Sequence, residues 1–214
     1  MAKKSDDLGV LKIHVKLEGL APFKRNGVMH TRMPRPDMYK VGEIPASINY
    51  KHVENLLHYE QEEKRFLAIP SDMIEAFFTK ERNGAIARYE GRAGKALANK
   101  ALAKMFVTPE FPLLTRNGAK IEPTGFNEKG LDMKAGLYAA IDKPLVKGGF
   151  VIAVRPVVML PWDVEFDLQI HCDAEINEHK VEAWLKKGGI EIGIGSHRPK
   201  FGRFNVTRFE VENI

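Results

Sequence analysis

Two segments alternate apolar and polar residues without a break, one near each end of the chain. They are Leu11 to Glu18 and Val164 to His171. Strict alternation puts every apolar side chain on one face of a strand, so both segments are predicted to be strands with one buried face. Such strands are typical of an antiparallel sheet that is covered on one side only.

A first helix is predicted after Pro70, with Ser71 or Asp72 as its N-cap and Glu75 completing a capping box. Lys95 to Phe106 predicts a further, Ala-rich helix. The apolar positions of these two helices recur at helical spacing: Met73, Ile74, Phe77, Phe78, Leu97, Ala101 and Met105.

The C-terminal helix is predicted to begin at Asn177, with Lys186 and Lys187 in its last turn and Gly188 and Gly189 as its C-cap. Its inward side chains are expected to be Val181, Trp184 and Leu185.

The remaining strands complete an α+β plan. Phe150 to Leu160 is expected to be a buried strand bent at Pro156, which forms a hairpin with Val164 to His171. Phe204 to Val211 predicts a closing strand, and its alternation slips between Arg208 and Phe209, which indicates a bulge or an edge position.

This order of elements is the split β-α-β plan of the ferredoxin-like fold, with an antiparallel sheet and its helices on one face. We expect a single elaborated domain over residues 1–214. Its core falls at about 9–20, 70–82 and 148–214, and large insertions are expected at about 21–48 and 84–147. In RNA-recognition relatives of this plan, the open sheet face or its edge holds single-stranded nucleic acid.

The positive charge of the chain is concentrated in three segments. The 214 residues include 33 Lys and Arg against 28 Asp and Glu, a net charge of +5. Segments 21–40, 80–104 and 186–208 carry +4, +5 and +5, which leaves −9 for the rest. If the three segments meet in space, they provide an electrostatic footprint for a polyanion.

A glycine-rich loop is predicted between the last helix and the last strand, from Gly193 to Phe204. It lacks the Gly-Lys-Ser/Thr of a Walker A loop and the third glycine of a dinucleotide fingerprint. Both motifs also need a strand before the loop and a helix after it, and the order here is reversed. No nucleotide cofactor is therefore expected.

The same loop combines glycines with cations and rings that suit a nucleic acid. Together with the other two basic segments it yields the candidate nucleic-acid-binding residues: Lys24, Arg25, Arg32, Arg35, Arg88, Arg92, Lys95, Gly193, Gly195, His197, Arg198, Lys200 and Arg203. A connection whose basic residues are simply solvated is the alternative interpretation of this loop.

The loop resembles the C-terminal glycine-rich loop of the RAMP superfamily, the repeat-associated RNA-binding proteins of CRISPR systems. The resemblance rests on Gly-Ile-Gly at 193–195 and Gly-Arg-Phe at 202–204, and on the Ile69-Pro70-Ser71 helix start. Small phage-encoded members are resembled by a longer arrangement, which consists of Arg155-Pro156, Trp162, Gly193-Ile194-Gly195, Arg198-Pro199 and Gly202-Arg203-Phe204. Most of the likeness lies in residues 150–211.

Membership of this superfamily would imply binding of single-stranded RNA or DNA, with RNA as the first expectation, and side-by-side assembly of copies into a homo-oligomer or nucleoprotein filament. It would place Arg198, Lys200 and Arg203 at the nucleic acid. Residues 22–47 would form a clamping loop, and residues 84–104 would line the groove.

Two other functions stay open. Some members of the superfamily are metal-independent endoribonucleases that use His for acid–base cleavage. The candidates here would be His14, His30 and His197, helped by Tyr39, Tyr50 or Tyr89. No spacing selects a pair, so we expect no catalytic residue. A phage structural protein without affinity for nucleic acid is the other alternative.

Metal and membrane sites are not expected. The single Cys excludes an internal disulfide and a Cys-rich zinc site. His171 and Cys172 are neighbours in a strand and point to opposite faces, so they would not converge on a metal. The N-terminus has no apolar h-region and no segment approaches a membrane span, which predicts a cytoplasmic protein.

Overall fold

The protein has a mixed α+β structure with antiparallel sheets and few helices. The computed structural model describes residues 9–25, 38–40, 58–61, 64–142, 145–146 and 149–213. The helices in these ranges are α1 (Ser71–Thr79), α2 (Ala85–Tyr89), α3 (Gly94–Leu102) and α4 (Glu178–Glu191), with a short 3-10 helix at Gly91–Ala93.

The strands in the same ranges are β1 (Val10–Gly19), β2 (Phe23–Lys24), β3 (Met38–Lys40), β4 (His58–Gln61), β5 (Lys64–Leu67), β6 (Met105–Thr108), β7 (Leu114–Arg116), β8 (Ala119–Lys120), β9 (Leu131–Asp132), β10 (Leu137–Asp142), β11 (Leu145–Val146), β12 (Gly149–Val158), β13 (Asp163–His171) and β14 (Phe204–Asn213). β4 and β5 pair only with each other among the described residues.

The first sheet contains the two alternating segments as neighbours. Its order is β14-β1-β13-β7-β8, and β6 also pairs with β13. β1 and β13 are antiparallel in continuous register, with Ile13 opposite Leu168. The predicted alternation is confirmed, since Ile13, Val15 and Leu17 are buried while the residues between them are half-exposed. The buried face packs against α1 and α4.

β14 lies at the edge of this sheet, and its predicted bulge is present. Lys16 is opposite Arg208 while Leu17 is opposite Val206, so Thr207 is the extra residue. The bulge falls one residue before the predicted slip. Because the bulge adds one residue, the side chains on either side of it keep their faces of the sheet, and Phe204 stays buried under α4.

The predicted hairpin of Phe150–Leu160 with Val164–His171 is wrong. β12 belongs to a second sheet of order β11-β12-β10-β9, where β2 and β3 also pair with it. Both edges of β13 are occupied by strands of the first sheet. The turn that joins β12 to β13 is fixed by Trp162. This side chain is buried and donates from Nε1 to the Ala21 carbonyl at 2.8 Å.

The segment predicted as an insertion over residues 84–147 contributes to both sheets. β6 pairs with β13 from Thr108 opposite Asp167 to Met105 opposite Ile170. The Ala-rich helix is confirmed, but it ends at Leu102, and Met105 begins β6. Leu97 and Ala101 are buried as predicted.

The predicted capping box of α1 is absent. Pro70 is the N-cap and makes no side-chain cap hydrogen bond. Glu75 instead accepts from the Val107 amide at 3.1 Å, so it joins α1 to β6. The N-cap of α4 is confirmed, because the Lys180 amide donates to Asn177 Oδ1 at 3.1 Å.

α4 continues beyond its predicted end at Gly188 and Gly189. A Cβ at Gly188 would lie 2.5 Å from Phe77 Cζ, and one at Gly189 would lie 2.5 Å from the Phe204 carbonyl oxygen. These glycines let α4 approach α1 and β14 closely, and the helix ends at Glu191. The lysines predicted for its last turn therefore lie earlier in the helix.

The hydrophobic core is continuous between the two sheets. It includes Val15 and Leu168 from the first sheet, Leu137 and Val158 from the second, and Trp184 of α4. Over the ranges that the structure describes, no helix combines the length and apolarity needed to cross a membrane.

Candidate nucleic-acid interface

The glycine-rich loop, residues 193–203, is fixed to the rest of the protein by backbone hydrogen bonds. The Ile194 amide donates to the Gly202 carbonyl at 2.8 Å, which closes the loop on itself. The Gly202 and Ser196 amides donate to the carbonyls of Pro22 and Lys24, each at 2.8 Å. The segment that follows β1 therefore supports the loop from below.

Two glycines of the loop are required by this close approach. Gly195 and Gly202 have φ values of 86° and 72°, in the left-handed region that other residues rarely adopt. A Cβ at Gly195 would collide with the Lys24 carbonyl, and one at Gly202 with the Ile194 carbonyl. The sequence left open whether a ligand or a backbone approaches these glycines, and here it is a backbone.

A buried charge cluster lies beneath the loop. Asp142 of β10 accepts from Lys24 Nζ at 2.7 Å and from Arg155 Nη1 at 3.0 Å. Both cations are buried, with 1% and 4% of their surface exposed. His197 covers the cluster, with Nδ1 3.5 Å from Lys24 Nζ and Nε2 3.4 Å from Arg155 Nη1.

The cluster lowers the pKa values of both Asp142 and His197. Burial tends to raise the pKa of Asp142, but the hydrogen bond and charge of Lys24, followed by Arg155, hold it below its ordinary value. Burial lowers the pKa of His197; Asp142 opposes this, while Lys24 and Arg155 reinforce it. His197 is therefore a neutral imidazole near neutral pH, in a cationic setting.

A cavity of about 470 Å³ opens beside this cluster, and we refer to it as the deep pocket. It is bounded by the residues after α1, by α2, by the end of α4, by β12 and by the glycine-rich loop. Its lining residues are Lys80, Arg82, Asn83, Arg88, Arg155, Glu191, Ile192, Gly195, Ser196, His197, Arg198 and Pro199.

A second, more open cavity adjoins the first along Arg88, Glu191 and Pro199, which line both. We refer to it as the shallow pocket and to the two together as the cationic groove. Ile190, Lys200 and Arg203 complete its lining. The second and third basic segments of the sequence therefore meet along one groove.

Most of the candidate residues of the glycine-rich loop lie at this groove. Gly195, His197 and Arg198 line the deep pocket, and Lys200 and Arg203 line the shallow one. Gly193 does not line either pocket; its amide donates to the Gly188 carbonyl at the end of α4. Arg198 Nη1 donates to the Gly193 carbonyl at 3.2 Å, which holds the guanidinium against the loop.

Other candidate residues lie elsewhere. Lys24 and Arg25 are 1% and 3% exposed, so neither presents its side chain at the surface. Burial lowers the pKa of Arg25 to about 10, against the charge of Asp72. Arg92 is exposed but does not line the groove, and Lys95 Nζ lies 3.4 Å from Glu81. Arg32 and Arg35 lie outside the described residues.

Three cations of the deep pocket were not among the predicted site residues. Lys80 and Arg82 follow α1, and their charge had been counted in the second basic segment. Arg155 is an arginine in an otherwise apolar strand, which is an unusual place for a charge and the signal that could have identified it.

The open face of the first sheet, opposite α1 and α4, carries mutually paired charges. Asp167 Oδ2 lies 3.0 Å from Lys12 Nζ, and its Oδ1 lies 2.6 Å from His14 Nδ1. His14 Nε2 lies 3.3 Å from Glu212. Further ion pairs on this face join Lys16 to Glu165 and Arg208 to Glu210.

The candidate acid–base residues are therefore dispersed. His14 lies on the open face and His197 at the groove. Tyr89 donates from Oη to Glu191 at 3.0 Å, and burial, followed by that hydrogen bond, raises the pKa of the phenol to about 12. His30, Tyr50 and the side chain of Tyr39 lie outside the described residues.

Within the described ranges, no group of three or more His, Cys, Asp or Glu residues is arranged to hold a metal ion. Asp173, next to Cys172, is occupied by Lys100 and Lys104, whose Nζ atoms lie 2.7 and 2.6 Å away.

Comparisons with known proteins add no family assignment. No protein-family model matches the chain, and no curated protein matches it.

Proposed function

We propose that this protein binds single-stranded nucleic acid, with RNA as the first expectation and DNA as the second, along the cationic groove and without cleaving it. The main observation in support of this proposal is that two separate basic segments of the sequence meet at this groove. Arg88 comes from one segment and Arg198, Lys200 and Arg203 from the other. Cations from separate segments along a continuous cleft suit a sugar–phosphate backbone.

The strand order supports a ferredoxin-like fold as part of the proposal. In the first sheet β14, β1 and β13 are neighbours, and β6 pairs with β13 on the edge that it shares with β7. These neighbours, with α1 after β1 and α4 between β13 and β14, are the ones that the split β-α-β plan leads us to expect. In this arrangement β6, rather than β12, takes the place of the second strand. Membership of the RAMP superfamily and side-by-side assembly of copies along the strand belong to the same proposal.

The groove suits a nucleic acid better than the open sheet face does. On the open face, Lys12, Lys16 and Arg208 each have a carboxylate partner within 3.4 Å. A phosphate placed there would compete with those carboxylates. In the groove, Lys200 and Arg203 make no ion pair with any described residue, so their charges are available to a phosphate.

Fluorescence anisotropy with labelled single-stranded RNA tests this function. We expect affinity to fall steeply with salt, with a log–log slope of about −0.7 for each phosphate that is neutralised. Arg198→Ala combined with Lys200→Ala removes two groove cations and is expected to weaken binding about tenfold or more at about 100 mM salt. Longer RNAs are expected to bind several copies, and single-stranded DNA of the same sequence provides the comparison between the two kinds of nucleic acid.

The matched control is Lys129→Ala with Lys134→Ala, which removes the same charge from two exposed residues that do not line the groove. This control is expected to retain the wild-type affinity within about twofold. Affinity that is insensitive to salt, or that falls equally in both double variants, would contradict the proposal.

Metal-independent RNA cleavage is a second candidate, favoured by one contact. His197, a neutral imidazole with a side chain 43% exposed, faces the deep pocket beside the Arg155 guanidinium. A base next to a cation is an arrangement that can take a proton from a ribose hydroxyl. Labelled RNA that is cut at discrete positions in EDTA, and is left intact by His197→Ala, would favour cleavage over binding alone.

A further inference from the structure

The deep pocket carries more positive charge than a single backbone phosphate would neutralise. Five of its lining side chains are cationic and only Glu191 is anionic. Glu191 is already engaged, because Tyr89 donates to its Oε2 at 3.0 Å and Arg88 Nη2 lies 3.7 Å from the same atom. Lys80 and Arg82 form no side-chain hydrogen bond or ion pair with the described part of the chain. Uncompensated charge therefore faces the cavity.

The inner wall of the pocket has the same excess. Arg155 lines the cavity with a side chain that is 5% exposed, and it shares one carboxylate, Asp142, with the buried Lys24. Among the described residues these two cations have one carboxylate between them, which leaves an excess of positive charge in a poorly solvated place. Arg155 Nε also has no hydrogen-bond partner among the described residues. Buried charges are ordinarily paired, so the excess of cations over carboxylates at this wall favours an anion in the cavity.

The two pockets differ in the charge that they offer a ligand. Only Arg88, Lys200 and Arg203 are cationic in the shallow pocket, and Ile190 and Pro199 add an apolar surface. That combination suits internal nucleotides, each with one phosphate charge. The volume of the deep pocket, about 470 Å³, is within the range of small-molecule sites, so it is large enough for a whole terminal nucleotide.

We propose that the deep pocket binds a phosphate monoester, the group found at a phosphorylated strand end or on a free nucleotide. This inference rests on the proposed function and specifies which part of the ligand the deep pocket takes. A phosphate monoester carries a charge of about −1.5 to −2 and three terminal oxygens, against one charge and two oxygens for a backbone phosphodiester. An exposed arginine side chain such as Arg82 can engage two of those oxygens.

The test compares RNAs of one sequence and about 12 nucleotides that differ only in their ends. One carries hydroxyls at both ends, one a 5′-phosphate and one a 3′-phosphate, each with an internal fluorophore. We expect one of the phosphorylated strands to bind wild-type protein about tenfold or more tightly than the hydroxyl-ended strand. Equal affinity for all three strands, with no inhibition by adenosine monophosphate, would overturn the proposal.

Variants assign the preference to the deep pocket. Arg155→Lys keeps the charge but removes the planar guanidinium. The ratio of the affinity for the preferred phosphorylated strand to that for the hydroxyl-ended strand is expected to fall to about one in this variant. Because Arg155 is buried, Lys80→Ala with Arg82→Ala provides a second test at two exposed positions. The same reduced ratio is expected there, and the ratio is expected to persist in Lys129→Ala with Lys134→Ala. A ratio that is unchanged in both pocket variants would contradict the assignment.

Competition with adenosine monophosphate shows whether the phosphate monoester in the deep pocket belongs to a strand end or to a free nucleotide. A strand-end preference that the free nucleotide does not inhibit identifies the ligand as a phosphorylated strand end. Inhibition at comparable concentrations identifies a mononucleotide pocket, which is the same chemistry. If the nucleotide binds and no strand does, the phosphate site stands and the proposed function fails. If neither binds, both fail.

Discussion

At the scale of single residues, His197 connects the glycine-rich loop to the buried charges. Its imidazole lies within 3.5 Å of two cations, and its own φ of 57° places it in the left-handed region. The residue is thus held in an unusual backbone conformation, at a point where a neutral imidazole and a bound anion would interact directly.

His197 gives a pH dependence with a definite sign. Burial, reinforced by Lys24 and Arg155, lowers the pKa of His197 below 6.5, so the folded protein binds this proton less readily than the unfolded chain does. Its contribution to stability is therefore present above pH 6.5 and is lost as the pH falls through the folded-state pKa.

A bound phosphate would reverse that shift, so binding is expected to take up a proton. The affinity of wild-type protein for the preferred phosphorylated strand, divided by that of His197→Gln, should rise as the pH falls from about 8 to about 6. Anisotropy titrations across this range provide the measurement, and the quotient cancels the titration of the terminal phosphate, which is common to both proteins. Parallel profiles for the two proteins would show that His197 does not contact the ligand.

At the scale of elements, the glycine-rich loop is held in place by backbone hydrogen bonds and is not a free connection. Gly195→Ala tests this, because a Cβ there would meet the Lys24 carbonyl in addition to the strain of a positive φ. Gly118→Ala is the matched control: its φ is 81°, and nothing lies within 4 Å of the added Cβ. We expect the control to cost about 1 kcal/mol and Gly195→Ala about 2–4 kcal/mol.

Urea unfolding of the two variants measures the difference. The displaced loop should also carry Arg198 away from the groove, so Gly195→Ala is expected to weaken RNA binding while Gly118→Ala is not. Equal losses of stability in the two variants would mean that only the backbone strain matters and that the loop can move aside.

The elements differ in how far the sequence predicts them. Leu11–Glu18 and Val164–His171 were predicted correctly, because alternation reports directly which face of a strand is buried. The hairpin was wrong because alternation says nothing about which strand is the partner, and β12 pairs with β10 and β2 instead. Gly188 and Gly189 were assigned to a C-cap because tight packing against Phe77 and Phe204 has no local sequence signal.

The residues of the candidate site likewise differ in whether the sequence alone could place them there. Arg198 and Lys200 could be placed from the sequence, since glycines and cations coincide in their loop. Lys80 and Arg82 reach the deep pocket only because α1 ends beside the loop, a juxtaposition that the fold creates. Arg155 comes from the second sheet, and no spacing in the sequence connects it with residue 198.

At the scale of the whole molecule, the net charge of +5 conceals a separation between two surfaces. The cationic groove presents five cations in the deep pocket alone, while the open face of the first sheet pairs its cations with carboxylates. We therefore expect the proposed nucleic acid on the helix and loop side of the protein, and not on the open sheet face that RNA-recognition proteins of the ferredoxin-like plan use.

Photo-crosslinking locates the nucleic acid most directly. RNA that contains 4-thiouridine at every uridine is bound to the wild-type protein, irradiated and digested, and the crosslinked peptides are identified by mass spectrometry. We expect crosslinks in residues 80–88 and 195–203, the two segments that supply most of the groove lining. Crosslinks concentrated in β1 and β13 would place the RNA on the open sheet face and contradict the account.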